Sequence, residues 1–217
     1  MLPESIPAPV ATLLNDVYTW PLPVGTYMAG GTAVALYLNH RVSVDIDLFT
    51  HEEFYCGSIT SSIGRRYATT VTNVAEKNTL IAIVADVRFS LFHYPYPLLK
   101  PLVNKPGCHI ELASLEDIAA MKAVAITQRG SAKDFFDLRV LMQTFGMTLD
   151  YLVSLVQKKY GVSEDYSYQI RRGLVYFDDA VKSLGDVAVL RNGEQVRLDK
   201  REWSEIEKFF KSLVLDR

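Results

Sequence analysis

The sequence predicts an α+β protein: a lobe of interleaved strands and helices over residues 1–106, then a mostly helical lobe over 107–217 with a small hairpin near 187–198. Three observations support this division. Short apolar stretches with strand-like alternation and short helical stretches follow one another as far as Phe92. Four prolines, Pro95, Pro97, Pro101 and Pro106, then mark a loop leaving the sheet. Beyond them the apolar residues recur at the helical period, interrupted once by Asn192-Gly193, a strong two-residue hairpin signal.

In chain order, Ala8 to Tyr18 reads as a leading helix closed by Pro21-Leu22-Pro23. A strand over Thr26–Ala29, a helix over Thr32–Leu38 and a strand over Val44–Thr50 follow. Phe54–Tyr67 reads as a helix, Ala68–Val74 as a strand, and Leu80–Val84 with Val87–Phe92 as a hairpin turning near Ala85-Asp86. In the second lobe Ser114-x-x-Asp117 starts a helix that stops at Gly130, and Ser131 starts another that ends near Gly146. Thr148–Tyr160 and Glu164–Ser183 are further helices. The hairpin strands are Val187–Leu190 and Gln195–Leu198, and Asp199-x-x-Glu202 caps a final helix.

Composition limits the function. The chain is 49% apolar and 22% charged with a net charge of −2, an ordinary balance for a soluble globular protein and a poor one for coating nucleic acid. The doublets Lys158-Lys159, Arg171-Arg172 and Lys200-Arg201 read as solvated helix faces, so a polynucleotide would have to meet a local patch. Cys56 and Cys108 fit no ligand or redox spacing and read as free thiols of a reducing cytosol. The N-terminus lacks the basic region and apolar run of a signal peptide, and the longest aliphatic run, Leu80 to Ala85, cannot span a bilayer. A cytoplasmic protein without membrane attachment is expected. His40, His51, His93 and His109 have no metal-ligand spacing, and no Gly-x-x-x-x-Gly-Lys phosphate loop occurs.

The chemistry concentrates between Met28 and Phe49. A short apolar strand runs into Gly30-Gly31-Thr32, which open an alanine- and leucine-rich helix. Glycines at a strand-to-helix turn let the backbone approach a phosphate, and the helix terminus offers it unpaired N–H groups. The strand that follows carries Asp45 and Asp47, which alternation puts on one face while Ile46 and Leu48 enter the core. Two carboxylates side by side repel unless a cation joins them, so the pair reads as a Mg²⁺ site for nucleotide chemistry. If that strand begins early, Arg41 and Ser43 share parity with Asp45, and either could reach a phosphate.

This segment resembles the signature of polymerase-beta-like nucleotidyltransferases, a Gly-Gly or Gly-Ser turn before a metal-binding Asp-x-Asp. Leu115 to Lys122, Arg129-Gly130 and Lys133-Asp134-Phe135-Phe136-Asp137-Leu138 narrow the likeness, being similar to the AbiEii/AbiGii toxin type of nucleotidyltransferase. The resemblance implies a polymerase-beta-like nucleotidyltransferase lobe that uses one or two Mg²⁺ ions held by Asp45 and Asp47. It implies an NTP whose phosphates meet Gly30, Gly31 and Thr32, and whose nucleoside monophosphate passes to an acceptor hydroxyl on RNA such as tRNA, or on protein. It further implies the toxin of a toxin–antitoxin or phage-defence pair, with a cognate antitoxin as partner.

Lys122 is the sole charge between Ile118 and Ile126 in a helix apolar nearly all round. It reads either as a snorkelling lysine or, with the resemblance, as a catalytic cation for the phosphates. Lys133, Asp134 and Asp137 read either as a helical i,i+4 pair with a first-turn acid or, from the resemblance, as a signature near the cleft that binds the nucleotide or holds the two lobes together. If the two lobes form one site, Lys122 is expected within about 10 Å of Asp45 and Asp47, because otherwise it would be buried without a counter-charge and the aspartates would lack a cationic neighbour. Polymerase-beta-type transferases commonly add a third acid on a neighbouring strand. Here Ser90 stands where it is expected and Asp86 falls at the hairpin turn, which leaves a catalytically impaired, nucleotide- or partner-binding module as the alternative function.

Overall fold

The computed structural model describes residues 2–215. They divide into two units: unit 1 comprises Met1–Tyr96 and Pro101–Ala113, and unit 2 comprises Pro97–Lys100 and Ser114–Arg217. The division expected at 106/107 thus lies at 113/114, with a short exchange at 97–100. The reason is hydrogen bonding on either side of the proline-rich stretch. Met28 N–H donates to the Glu111 carbonyl, and Ala113 N–H donates back to the Met28 carbonyl, both at 2.8 Å, which keeps 101–113 on the sheet of unit 1.

Unit 1 holds α1 (Ala8–Val17), β1 (Tyr27–Met28), α2 (Gly30–Leu38), β2 (Asp45–Thr50), α3 (Gly57–Arg66), β3 (Val71–Glu76), β4 (Thr79–Val84) and β5 (Val87–His93). Its five strands run in the order β1-β2-β5-β4-β3, with β2 and β5 parallel and the other neighbours antiparallel. Ile46, Leu48, Phe89, Leu91, Leu80, Ala82 and Val84 alternate inward and are buried, as are Val10, Leu13, Leu14 and Val17 of α1. The Trp20 ring, just after α1, meets Phe89 at 5.1 Å and Tyr67 at 6.2 Å. Tyr67 also donates to Asp16, which pairs with Arg66, so the ends of α1 and α3 are tied together.

Both hairpins of this sheet close through two-residue turns. Ala85 (φ +48) and Asp86 (φ +64) supply the two left-handed residues of a type I′ turn between Val84 and Val87. The strand expected at Ala68–Val74 starts later and runs to Glu76, and Lys77-Asn78 turns it into β4. Asn78 fixes that turn, since its side-chain oxygen accepts from Phe54 N–H at 2.9 Å.

Unit 2 holds α4 (Leu115–Gln128), α5 (Ala132–Phe145), α6 (Leu149–Tyr160), α7 (Asp165–Leu174), a 3-10 helix (Ala180–Asp186), the hairpin strands β6 (Ala188–Arg191) and β7 (Glu194–Arg197), and α8 (Lys200–Leu215). Helix α4 is central, packed by α5, α6 and α7. The single helix expected over Glu164–Ser183 is broken at 175–179. Gly173 explains where the break follows: a β-carbon there would lie 2.9 Å from Thr127 Cγ2, so α7 touches α4 backbone-close at its end. The chain then turns and seats Phe177 at 5.2 Å from Phe135 and 5.9 Å from Trp203, an aromatic core that a continuous helix would forfeit. Among the described residues no helix is long and apolar enough to cross a membrane.

Candidate functional site

The strand β1 hands the chain to α2 through Ala29 and Gly30. Gly30 takes φ +71, a left-handed conformation that places the following residues directly in the helix. Ala29, at the N-cap, has no side-chain acceptor to offer the first-turn N–H groups. The turn is bounded by charge on both sides. A β-carbon on Gly30 would lie 3.0 Å from Asp47 Oδ2, whereas one on Gly31 would collide with the Arg41 guanidinium and lie 3.4 Å from Ser43 Oγ. Thr32 Oγ1 is hydrogen-bonded to Ser43 Oγ at 2.8 Å and donates to the Asp45 carbonyl, pinning the helix start to the entry of β2. Ala29 N–H donates to the Asp47 carbonyl at 3.3 Å. The glycine turn and the Asp-x-Asp strand, separate signals in the sequence, are therefore one local structure.

On β2, Asp45 and Asp47 are half-buried on one face, and Ile46 and Leu48 are fully buried on the other. The parallel partner β5 sets Arg88 beside Asp45 and Ser90 beside Asp47. Arg88 is exposed and Ser90 is buried. No acid occupies this row of β5, and Asp86 belongs to the turn before it. Among the described residues, no group of three or more His, Cys, Asp or Glu side chains is placed to hold a metal ion. Two carboxylates sharing a face suit one Mg²⁺, an ion that keeps several waters and takes further oxygens from substrate phosphates. They lack the third acid of a two-ion site. Sequence reading overlooked Arg88, although strand parity with Ser90 would have exposed it.

In unit 2 the residues expected to serve the nucleotide form a buried ion cluster. Lys122 Nζ lies 2.9 Å from Asp134 Oδ1 and 2.7 Å from Asp137 Oδ2, with the side chains 6%, 1% and 0% exposed. Asp134 also receives Arg129 Nε at 2.9 Å and Ser131 Oγ at 2.7 Å. Burial would raise the Asp134 carboxyl, but the Lys122 charge and the Arg129 hydrogen bonds outweigh it and hold the group well below the usual carboxylate range. Asp137 thus meets Lys122 of the preceding helix, while Lys133 is half-buried at the start of α5. The premise that Lys122 would be buried without a counter-charge does not hold, because it has two in its own unit. Arg88 of β5 stands in register with Asp45.

A second buried pair was hidden in a basic doublet. Lys159, expected on a solvated face, is 1% exposed and its Nζ donates to Asp117 Oδ1 at 2.7 Å and to the Pro97 carbonyl at 3.0 Å. Asp117 accepts further from Leu99 N–H at 3.0 Å, Lys100 N–H at 3.3 Å and Ser114 Oγ at 2.7 Å. This carboxylate straps 97–100 to unit 2. In another doublet Arg171 is half-buried and paired with Asp150 at 2.9 Å, while Arg172 is exposed. Cys56 and Cys108 are free, and burial pushes both thiols up, away from reactivity.

Comparison with known proteins places these observations. The family model "Nucleotidyl transferase AbiEii toxin, Type IV TA system" matches residues 86–216. A protein of Aquifex aeolicus (strain VF5), aq_aa25, is 41% identical over 191 residues, covering 87% of this chain and 85% of that relative. Among solved structures, JHP933 from Helicobacter pylori superposes with a TM-score of 0.55 at 17% identity, over 96% of this chain and 90% of that one. A second H. pylori structure, described as a putative nucleotidyltransferase, gives 0.49 at 15% identity over 96% and 92%. The chain belongs to the AbiEii nucleotidyltransferase toxin family, and it is a nucleotidyltransferase. The family generally uses a divalent metal. The family match begins at Asp86, so Gly30 to Asp47 rest on their own geometry.

Proposed function

We propose that this nucleotidyltransferase moves a nucleoside monophosphate from a Mg²⁺-bound NTP to an acceptor hydroxyl on RNA such as tRNA, or on protein. It acts in the cytoplasm as the toxin of a pair whose antitoxin restrains it. The observation that carries the reading is the union of the glycine turn with the Asp45/Asp47 face, where Asp47 Oδ2 lies 3.0 Å from the place a Gly30 side chain would fill. A side chain there would crowd the carboxylate, and its absence leaves room for a phosphate against the backbone.

Asp45 and Asp47 would hold the ion, which supplies charge neutralisation at the phosphates and at the leaving pyrophosphate. Gly30, Gly31 and Thr32 present the first-turn N–H groups of α2 to the triphosphate, aided by the positive end of the helix dipole. The acceptor oxygen attacks the α-phosphorus in line as its bond to the β-phosphate oxygen breaks and pyrophosphate leaves. With Arg88 and Ser90 in the row of β5 beside the aspartates, the acceptor's proton would pass to a phosphate oxygen of the substrate, not to a third carboxylate. Lys122, Asp134 and Asp137 serve the site by building the helical unit, and any phosphate that drew on Lys122 would compete with two carboxylates already on it.

Incubation with α-labelled NTPs and total cell extract tests the activity. Label should pass to a macromolecule in a Mg²⁺-dependent way, and Asp45→Asn/Asp47→Asn should lose both transfer and Mg²⁺-dependent NTP binding. Unchanged Mg²⁺-NTP affinity in that double variant would defeat the metal assignment. The second reading, a module that binds nucleotide or a partner without catalysis, is favoured by the missing third acid; tight Mg²⁺-NTP binding without transfer to any acceptor would establish it.

A further inference from the structure

Arg41 is 3% exposed, a costly place for a guanidinium that keeps its charge at any ordinary pH. Its Nη1 donates to the Val42 carbonyl at 2.9 Å. Its Nη2 occupies the space into which a side chain on Gly31 would project. On a surface such a group would swing aside at little cost. Here it is enclosed and anchored. Gly31, unlike Gly30, does not sit at positive φ. Glycine at 31 is therefore required by the guanidinium and not by the backbone.

We propose that Arg41 is a positioning residue of the phosphate-binding turn, its buried charge seated in the space left by Gly31 so that a polyphosphate can approach despite Asp45 and Asp47. This rests on the nucleotide-site reading above. A helix N-terminus offers about half an elementary charge, which is small against two carboxylates on the adjoining strand. A full positive charge fixed beside the first turn redresses that balance, and its burial weakens solvent screening of its field. Ser43 Oγ lies 3.4 Å from the same position and is hydrogen-bonded to Thr32 at 2.8 Å, so the space beside Gly31 is bounded by the guanidinium and by a hydroxyl tied to the turn. The ligand class is the triphosphate tail of a nucleotide, held whatever its base.

Two measurements test this. The first is the melting midpoint of wild type, Gly31→Ala, Arg41→Met and the double variant. Gly31→Ala should lower the midpoint in the wild-type background. In the Arg41→Met background, where the side chain is shorter and uncharged, it should be neutral or stabilising, since alanine is the better helix former. Equal destabilisation in both backgrounds would overturn the proposed seat. The second is calorimetric affinity for Mg·ATP and for inorganic tripolyphosphate. Arg41→Met should weaken both roughly tenfold, the scale of one charge-assisted contact, and Arg41→Lys should recover most of the loss. An Arg41 that serves packing alone would move the melting midpoint and leave both affinities within about twofold of wild type, which overturns the proposal. Should Arg41→Met not fold, Gly31→Ala displaces the guanidinium without deleting it and is expected to show the same loss, with unchanged affinity again the overturning result. Wild-type protein that binds tripolyphosphate through Arg41 but fails to bind Mg·ATP would overturn the proposed function and leave this inference standing.

Discussion

Replacing Lys122 with Met separates a structural cation from a phosphate ligand. In the folded protein Lys122 Nζ stands 2.7 Å from Asp137, whose side chain is 0% exposed, and 2.9 Å from Asp134. Asp134 keeps Arg129 and Ser131 when Lys122 goes, and Asp137 loses an ammonium at 2.7 Å. Removing one partner of a buried pair costs about 3–5 kcal/mol, because a charge is left in a poorly solvating interior. The retained partners of Asp134 point to the lower end, about 3 kcal/mol, or a fall in melting midpoint of roughly 10–20 °C for a domain of about a hundred residues. Removing both charges, in Lys122→Met/Asp137→Leu, should cost less than Lys122→Met alone, since apolar replacement of a whole pair is often nearly neutral. Urea unfolding of wild type, the two single variants and the double variant at constant m-value measures this coupling. A Lys122→Met variant with an unchanged urea midpoint and weakened Mg·ATP binding would refute the structural assignment and return Lys122 to the phosphates.

Two further outcomes are expected. Asp117→Ala should cost about 4 kcal/mol and Lys159→Met about 2 kcal/mol, because the first takes the carboxylate from a buried ammonium and from the N–H groups of Leu99 and Lys100 while the second leaves Asp117 with those donors and Ser114. Hydrogen exchange at Leu99 and Lys100 should accelerate in Asp117→Ala, and equal costs for the two variants would contradict the strap. In unit 1, burial and then the hydrogen bond to Asp16 push the Tyr67 phenol up to about 12 from an ordinary 10.0. The folded state holds that proton more tightly, so the stabilisation is complete below about pH 10 and is lost as pH rises toward about 12. Tyr67→Phe should flatten that alkaline decline in melting midpoint, and an unaltered decline would exclude Tyr67 as its source.

What the sequence reveals about this fold is local. Ser114, Thr148 and Asp199 cap helices through N–H groups three residues on, at 3.0, 3.2 and 2.8 Å, and each was readable from its own few residues. The Ala85-Asp86 and Asn192-Gly193 turns needed only left-handed residues between two apolar runs. The parts that were not readable depend on distant partners. Lys159 looked like half of a surface doublet because its counter-charge, Asp117, lies 42 positions earlier. The break after α7 depends on an aromatic core shared with Phe135 and Trp203, and no helical period signals it. Lys122 was singled out correctly as an odd charge in an apolar helix, but its partners lie on the next helix, so its role could not be read from its own.

The candidate site shows the same split, with a consequence for the metal proposed there. Strand parity alone put Asp45 and Asp47 on one face, but only the parallel pairing of β2 with β5 reveals that Arg88 stands beside Asp45 and Ser90 beside Asp47. An arginine in that row lowers the negative charge that would otherwise draw a divalent ion, and no third acid restores it. The aspartates therefore should hold Mg²⁺ weakly by themselves and firmly once a triphosphate adds its oxygens, so that metal and nucleotide enter as one species. Calorimetric titration should find Mg²⁺ affinity in the millimolar range or weaker without nucleotide, and at least roughly tenfold tighter with a non-hydrolysable NTP, the scale of one added charge interaction. Arg88→Ser should strengthen the nucleotide-free affinity, and Ser90→Asp should strengthen it further by supplying the absent acid. Tight Mg²⁺ binding to the nucleotide-free wild type, unmoved by Arg88→Ser, would show that Arg88 does not set the charge of this face.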